Sequence, residues 1–167
     1  SPDFNLGWSN SLSYKGFGLS FLTNGRFGGV VTSATQAILD RFGVSKASAE
    51  ARDAGGVLLL GLGRVDAQSY YQLIGTGDYT TSGYYVYSAT NIRLQELTLS
   101  YRFPDLWFKN VLKDVTLSFI ANNPWMLYSK APHDPELTPS VGTYGQGNDY
   151  FMQPSVRSFG FGIKFKL

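Results

Sequence analysis

Cysteine is absent from the 167-residue chain, which excludes disulfide frameworks, thiolate metal sites and cysteine nucleophiles. Charge is scarce as well: 16% of residues are charged, against roughly 25% in an average soluble domain. The 14 basic and 12 acidic residues leave a formal charge of +2 and are spread along the chain. No basic footprint stands out, so nucleic acid is not an expected partner. No apolar run approaches the ~18 residues of a membrane helix, and no signal peptide opens the chain. The opening residues Ser1-Pro2-Asp3-Phe4-Asn5 hold no initiator Met, which reads as a piece of something longer. The length allows one unit with a core.

What the chain has in quantity is Gly (19), Phe (12) and Tyr (11). With Ser and Thr these make poor helices but good strands and turns, so an all-β fold is expected and a helical bundle is not. Disorder is also excluded by so much apolar and aromatic surface.

The leading pattern is alternation with period two, which assigns one set of side chains to each face of a strand. Leu6, Trp8, Leu12 and Tyr14 share one face, and Gly7, Ser9, Ser11 and Ser13 the other. Lys15-Gly16 then makes a tight connection to Phe17, Leu19 and Phe21, a β-hairpin signature. Leu97, Leu99, Tyr101 and Phe103 repeat the pattern up to Pro104, which has no N–H to donate. Val115, Leu117, Phe119 and Ala121 repeat it again, interrupted by Ile120. Phe159, Phe161, Ile163, Phe165 and Leu167 close the chain in the same register.

Five strands are therefore predicted, at about 6–14, 17–27, 92–103, 115–122 and 156–167. They alternate short and long connections, the long ones spanning about 28–91 and 123–155. Helix is expected at 31–42, which ends at Gly43, with a further helical turn at 66–74.

Position along the strands bears on the environment. Tyr14, Phe17, Tyr101, Phe103, Trp107, Phe108 and Phe165 gather at the short-turn end, as an aromatic girdle would in an outer-membrane barrel with short periplasmic turns and long outer loops. Gly, Ser, Thr and Asn on the opposite face suit a polar lumen. A soluble β-sandwich is the competing architecture. Five strands cannot close a barrel alone, because even the smallest have about eight.

Several stretches carry a family resemblance. They are Leu19-Ser20-Phe21-Leu22 through Gly25-Arg26-Phe27-Gly28-Gly29, Arg41-Phe42-Gly43-Val44-Ser45, Glu50-Ala51-Arg52-Asp53-Ala54-Gly55-Gly56, the run from Ala89 to Tyr101, and the closing Phe-rich strand. In these the chain resembles the carboxy-terminal part of a SusC/RagA-family TonB-dependent outer-membrane transporter. The run Phe119-Ile120-Ala121-Asn122-Asn123-Pro124-Trp125 follows the family wording loosely, and Leu167 stands where an aromatic is common. The resemblance implies that residues 1–167 supply the last five antiparallel, up-and-down strands of a large transmembrane β-barrel of ~22 strands, with helix-containing outer loops. The amino-terminal signal, plug and TonB-contact segment would lie outside this chain. It further implies a bacterial cell outer-membrane location, embedding in lipid, and TonB-driven uptake of an oligosaccharide or peptide. The implied partners are a SusD-like surface lipoprotein and, through the missing amino-terminal region, the TonB complex.

Motifs that carry chemistry are sparse. Val57-Leu58-Leu59-Leu60-Gly61-Leu62-Gly63-Arg64-Val65-Asp66 imitates a dinucleotide loop, but a third glycine is missing and Asp66 would repel a pyrophosphate. An outer loop with a tight turn is the better reading. His133, Asp134 and Glu136 could offer metal ligands, yet Pro132 and Pro135 break the cluster into a solvated loop. The same histidine has no G-x-S-x-G nucleophile to serve. Tyr70, Tyr71, Tyr84, Tyr85, Trp125, Tyr128, Tyr144 and Tyr150 fall in the outer segments, where rings could meet a ligand but loop packing or lipoprotein contact is favoured. No catalytic, cofactor-binding or metal-binding residue is assigned, no cofactor is expected, and the chain is expected not to be an enzyme. The alternatives are a soluble β-sandwich carbohydrate-binding module and a passive porin without a plug.

Overall fold

A computed structural model describes residues 1–76, 83–104, 113–137 and 145–166. Two compact units emerge. The first comprises residues 1–28, 90–130 and 155–167, and the second residues 29–89 and 131–154.

The first unit is a single antiparallel sheet of strands β1 (Phe4–Tyr14), β2 (Phe17–Phe27), β7 (Asn91–Arg102), β8 (Lys113–Ser129) and β10 (Ser158–Lys166), hydrogen-bonded in the order β1-β2-β7-β8-β10. The first hairpin turns at Lys15 (φ 47°) and Gly16 (φ 89°). Both φ values are positive, as a two-residue turn matched to strand twist requires. A Cβ on Gly16 would stand 2.7 Å from the Arg102 carbonyl oxygen, the residue whose N–H donates to Gly16 O at 2.8 Å. At the same end Asp114 pairs with Arg102 and, at 2.8 Å, with Lys166, joining β7, β8 and β10.

Strand β2 coincides with its predicted range, and β1, β7 and β10 match theirs to within two residues at each end. Strand β8 does not: it runs seven residues past Asn122 to Ser129. Its pairing with β10 ends at Asn122↔Ser158, so Pro124 has no neighbour on that side demanding an N–H. On the other side the register with β7 shifts between Leu94 and Glu96, a bulge that absorbs Asn123 (φ 49°) and Pro124. Trp107, Phe108 and Leu167 lie outside the described residues.

The second unit holds β3 (Val30–Ser33), β6 (Val86–Ser88) and β9 (Asn148–Asp149) in the order β6-β3-β9, and a hairpin of β4 (Val57–Leu59) and β5 (Gly63–Val65). Its helices are α1 (Ala34–Arg41), α2 (Lys46–Asp53) and α3 (Ala67–Thr76). The predicted helix at 31–42 is thus a strand followed by a helix, because Val30 and Val31 pair with Ser88 and Tyr87. The predicted turn at 66–74 is α3.

Local chemistry sets each helix boundary. Ser33 caps α1, accepting from Gln36 N at 3.1 Å, and Ser45 caps α2, accepting from Ser48 N at 3.1 Å. Each helix then ends in a Schellman motif: Gly43 N and Val44 N donate to Asp40 O and Leu39 O, and Gly55 N and Gly56 N to Arg52 O and Ala51 O. Gly75 lets α3 lie close against α1, since a Cβ there would fall 2.7 Å from Ala37 O. The core of this unit is built of Val31, Ala34, Ala37, Ala67, Tyr85 and Ala89.

Candidate functional site

The register places one chemistry on each face of the five-stranded sheet. Across it run the rows Tyr14–Phe17–Tyr101–Leu117–Ile163, Leu12–Leu19–Leu99–Phe119–Phe161 and Asn10–Phe21–Leu97–Ala121–Phe159. Above them stand Trp8–Thr23–Leu94–Trp125 and Leu6–Gly25–Ile92–Tyr128. Two of the five rows are wholly apolar or aromatic, and each of the others has one exception, Asn10, Thr23 or Gly25. The intervening rows are Ser13–Gly18–Ser100–Ser118–Gly162 and Ser11–Ser20–Thr98–Ile120–Gly160, followed by the more mixed Ser9–Leu22–Glu96–Asn122–Ser158 and Gly7–Asn24–Arg93–Met126.

The apolar face is exposed where a soluble protein would bury it: Leu12 at 57%, Phe17 at 63% and Phe161 at 80%. Leu12, Leu19, Leu99, Phe119 and Phe161 line an open apolar depression of about 590 Å³ on this unit. The small face is held together by close approach, and a Cβ on Gly18 or Gly162 would meet the hydroxyl oxygen of Ser100 or Ser118 at 2.4 or 2.7 Å. Ile120 sits on this face opposite Gly160, whose added Cβ would meet nothing within 4 Å.

Aromatic rings mark both ends of the apolar face. At the short-turn end Phe17 and Tyr101 lie 4.4 Å apart and Tyr101 and Phe103 4.8 Å apart between centroids. At the other end Phe4 stacks on Phe27 at 4.7 Å, and Trp8 meets Phe21 edge-on at 5.1 Å. Trp125 and Tyr128, expected in an outer loop, belong to this second belt, because β8 carries them past the bulge onto the sheet. From Tyr14 to Phe4 is about 33 Å along β1 at the usual rise per residue. With a tilt of ~40° this becomes about 25 Å, the height of the apolar band of a transmembrane barrel.

The remaining sequence candidates lie in the second unit. Tyr85 is buried, and its hydroxyl donates to Asp40 Oδ2 at 3.1 Å while Gln36 Nε2 donates to Asp40 Oδ1 at 2.8 Å. Burial and the Asp40 carboxylate raise the Tyr85 hydroxyl far above its ordinary range. Ser33 Oγ donates to Asp149 Oδ2 at 2.8 Å, tying β9 to the start of α1. Tyr70 meets Tyr71 and Tyr84 edge-on at 5.1 and 6.3 Å; burial and Tyr84 push its hydroxyl up to about 12. Tyr150 meets Phe151 edge-on at 5.5 Å, and Tyr144 lies outside the described residues.

His133 packs edge-on to Tyr87 at 6.2 Å, and burial lowers its pKa against the opposing pull of Asp149 and Asp134. Asp134 Oδ1 accepts from Glu136 N at 3.2 Å, a local turn. Among the described residues no group of three or more His, Asp or Glu is arranged to hold a metal ion. Asp66 is the cap of α3: its Oδ2 accepts from Ser69 N at 2.8 Å, which lowers its pKa. The carboxylate therefore occupies the helix N-terminus that a dinucleotide phosphate would need. The glycines before it form the β4–β5 hairpin rather than a phosphate loop.

No protein-family model matches the chain. The chain is similar to part of a TonB-dependent receptor. Over 174 residues it is 24% identical to TonB-dependent receptor P3 of Formosa agariphila, a likeness that takes in 100% of this chain and 16% of that receptor. The chain thus spans about a sixth of the length of the curated relative it matches.

Proposed function

We propose that residues 1–167 are the carboxy-terminal portion of the barrel of a TonB-dependent outer-membrane importer of the SusC/RagA type. The observation that carries this reading is the two-faced sheet: exposed apolar rows on one side, mainly small and polar side chains on the other, and aromatic belts at both ends. A strand in a bilayer must pair all its backbone groups while presenting apolar side chains to lipid. Strands of 9 to 17 residues reach the ~9–11 that a tilted crossing needs. The likeness to a TonB-dependent receptor supports the same reading.

In this role the chain carries no catalysis. The apolar rows hold it in lipid, and the small polar face leaves room for a solute to pass. The outer edges of β1 and β10 pair with strands contributed by the rest of the polypeptide. The second unit is built from the long connections between β2 and β7 and between β8 and β10, and it forms the outer loops that meet a SusD-like lipoprotein and the incoming oligosaccharide or peptide. Energy comes from TonB acting on the amino-terminal region.

The test is fractionation of the native polypeptide from its source cell. The expected species is several times heavier than 18.4 kDa, resists extraction by urea, needs detergent to dissolve, and migrates differently on gels with and without boiling. Deleting its tonB partner gene abolishes solute uptake and leaves the barrel assembled. A water-soluble species of the size of this chain overturns the proposal.

A further inference from the structure

The second unit contains a pocket to which the import reading assigns no residue. It is a cavity of about 210 Å³ enclosed by the end of α1, the side of α2 and the first turns of α3. Its chemistry comes from Arg41, Phe42, Arg52, Gln68, Tyr71 and Gln72. We infer that this pocket binds a sugar ring bearing an anionic group, a uronate carboxylate or a sulfate ester. The inference rests on the import reading for its consequence, that the solute is an acidic oligosaccharide, while binding itself can be measured whether or not the protein transports.

Four features support it. Arg52 is held in place, its Nη1 donating to Gly43 O at 2.6 Å, which leaves the rest of the guanidinium fork for a ligand. Gly43 is what permits this: its φ is 69°, and a Cβ there would stand 2.9 Å from Arg52 Nη1. Arg41 extends beside the Phe42 ring, 5.7 Å from its centroid. Among the described residues neither arginine has a carboxylate partner.

The carboxylate that lines the pocket is already engaged, as is Glu50 on α2. Asp40, on the pocket floor and 5% exposed, accepts from Gln36 and Tyr85, and Glu50 pairs with Lys46 at 3.6 Å. Two guanidinium groups therefore face one committed carboxylate. An anion matches their planar donors. Phe42 and Tyr71 supply ring faces for the C–H side of a pyranose. Gln68 and Gln72, one turn apart on α3, both donate and accept, as hydroxyl recognition requires. A free phosphate would leave the rings unused.

The experiment is calorimetric titration of the full-length polypeptide in detergent with three probes: a galacturonate hexamer, a sulfated heparin hexamer and neutral maltohexaose. The charged hexamers are expected to bind about ten- to a hundredfold tighter than the neutral one, the span of a charged hydrogen bond, and to weaken with added salt. Arg41→Gln and Arg52→Gln should each remove most of that preference. Lys130→Gln, which alters an exposed charge that is not part of the pocket lining, should leave it intact. Arg41→Lys should recover part of it, which a misfolded variant would not do. Equal binding of all three hexamers, or unchanged preference in both arginine variants, overturns the inference. Failure of the import reading would show separately, as a water-soluble polypeptide.

Discussion

Trp8 on β1 and Trp125 on β8 stand in one transverse row of the sheet, joined through Thr23 and Leu94. Their sequence separation is over a hundred residues, and neither ring is buried. Indoles prefer the boundary between apolar and wet surroundings, where the ring is desolvated and the N–H keeps a partner. This row therefore marks the inner edge of the aromatic belt opposite the short turns, with the Leu6–Tyr128 row and the Phe4–Phe27 pair beyond it on the same face.

That level makes the two faces of β7 unequal to charge. Leu99 lies on the wholly apolar row next to the middle one and Ser100 on the neighbouring polar row. In lipid, Leu99→Arg should cost about 2–4 kcal/mol, the penalty for a cation near the midplane on the lipid side of a barrel strand. Ser100→Arg should cost far less. Urea titration of the full-length protein in vesicles, followed by its boiling-dependent gel shift, measures both. Equal costs would show that the faces do not differ in environment.

Gly75→Ala should destabilise the helical unit by about 1–3 kcal/mol through overpacking. The added Cβ would meet Ala37 O at 2.7 Å and Arg41 Cβ at 2.8 Å, and backbone cannot move aside as a side chain can. Amide hydrogen exchange in α1 and α3 should accelerate together. Gly55→Ala is a useful contrast, since its strain is conformational (φ 75°) and its Cβ would meet nothing within 4 Å.

Much of the sheet was readable from the residues, and the reasons are local. Phe17 to Phe27 is bounded by a turn that needs positive φ and by a Gly pair, so its limits follow from short-range chemistry. Asn122-Asn123-Pro124 has the composition of a turn, so sequence pattern alone ends β8 at Asn122 although it runs on to Ser129. Only the absence of β10 beyond Ser158, a fact of tertiary pairing, shows why a strand tolerates it there. Helix α2 has no apolar stripe in Lys46–Asp53 to announce it; its signals are Ser45 at one end and Gly55-Gly56 at the other. The pairing of Ser33 with Asp149 joins positions 116 apart through strands of four and two residues, too short for any periodicity. The arginine pocket went unread for a related reason: Arg41, Arg52 and Gln72 converge only once α1, α2 and α3 have packed.

Tyr85→Phe should cost about 1–3 kcal/mol, because it leaves the buried Asp40 carboxylate short of one donor. The same pair makes the unit sensitive to alkali. The folded-state pKa of Tyr85 is raised above the ordinary 10.0, so its contribution is complete below pH 10 and is lost as pH rises through the folded value. Alkaline unfolding of this unit, read by exchange of residues 29–76, should therefore show a smaller pH dependence in the Phe variant.

His133 sets the acid limit in the opposite sense. Burial lowers its folded-state pKa below the ordinary 6.5, with Asp149 and Asp134 pulling the other way. An unfolded chain takes up a proton near pH 6.5 that the folded unit resists. The stability this linkage provides is thus complete above about pH 6.5 and is lost as pH falls towards the folded value. Exchange at residues 131–137 and 145–154 should quicken between pH 7.5 and 5.5 beyond the intrinsic chemical trend. Replacing the imidazole by a ring that does not titrate, His133→Phe, keeps an edge available to Tyr87 and should remove that excess. An unchanged pH response in the variant would assign the acid sensitivity to other groups.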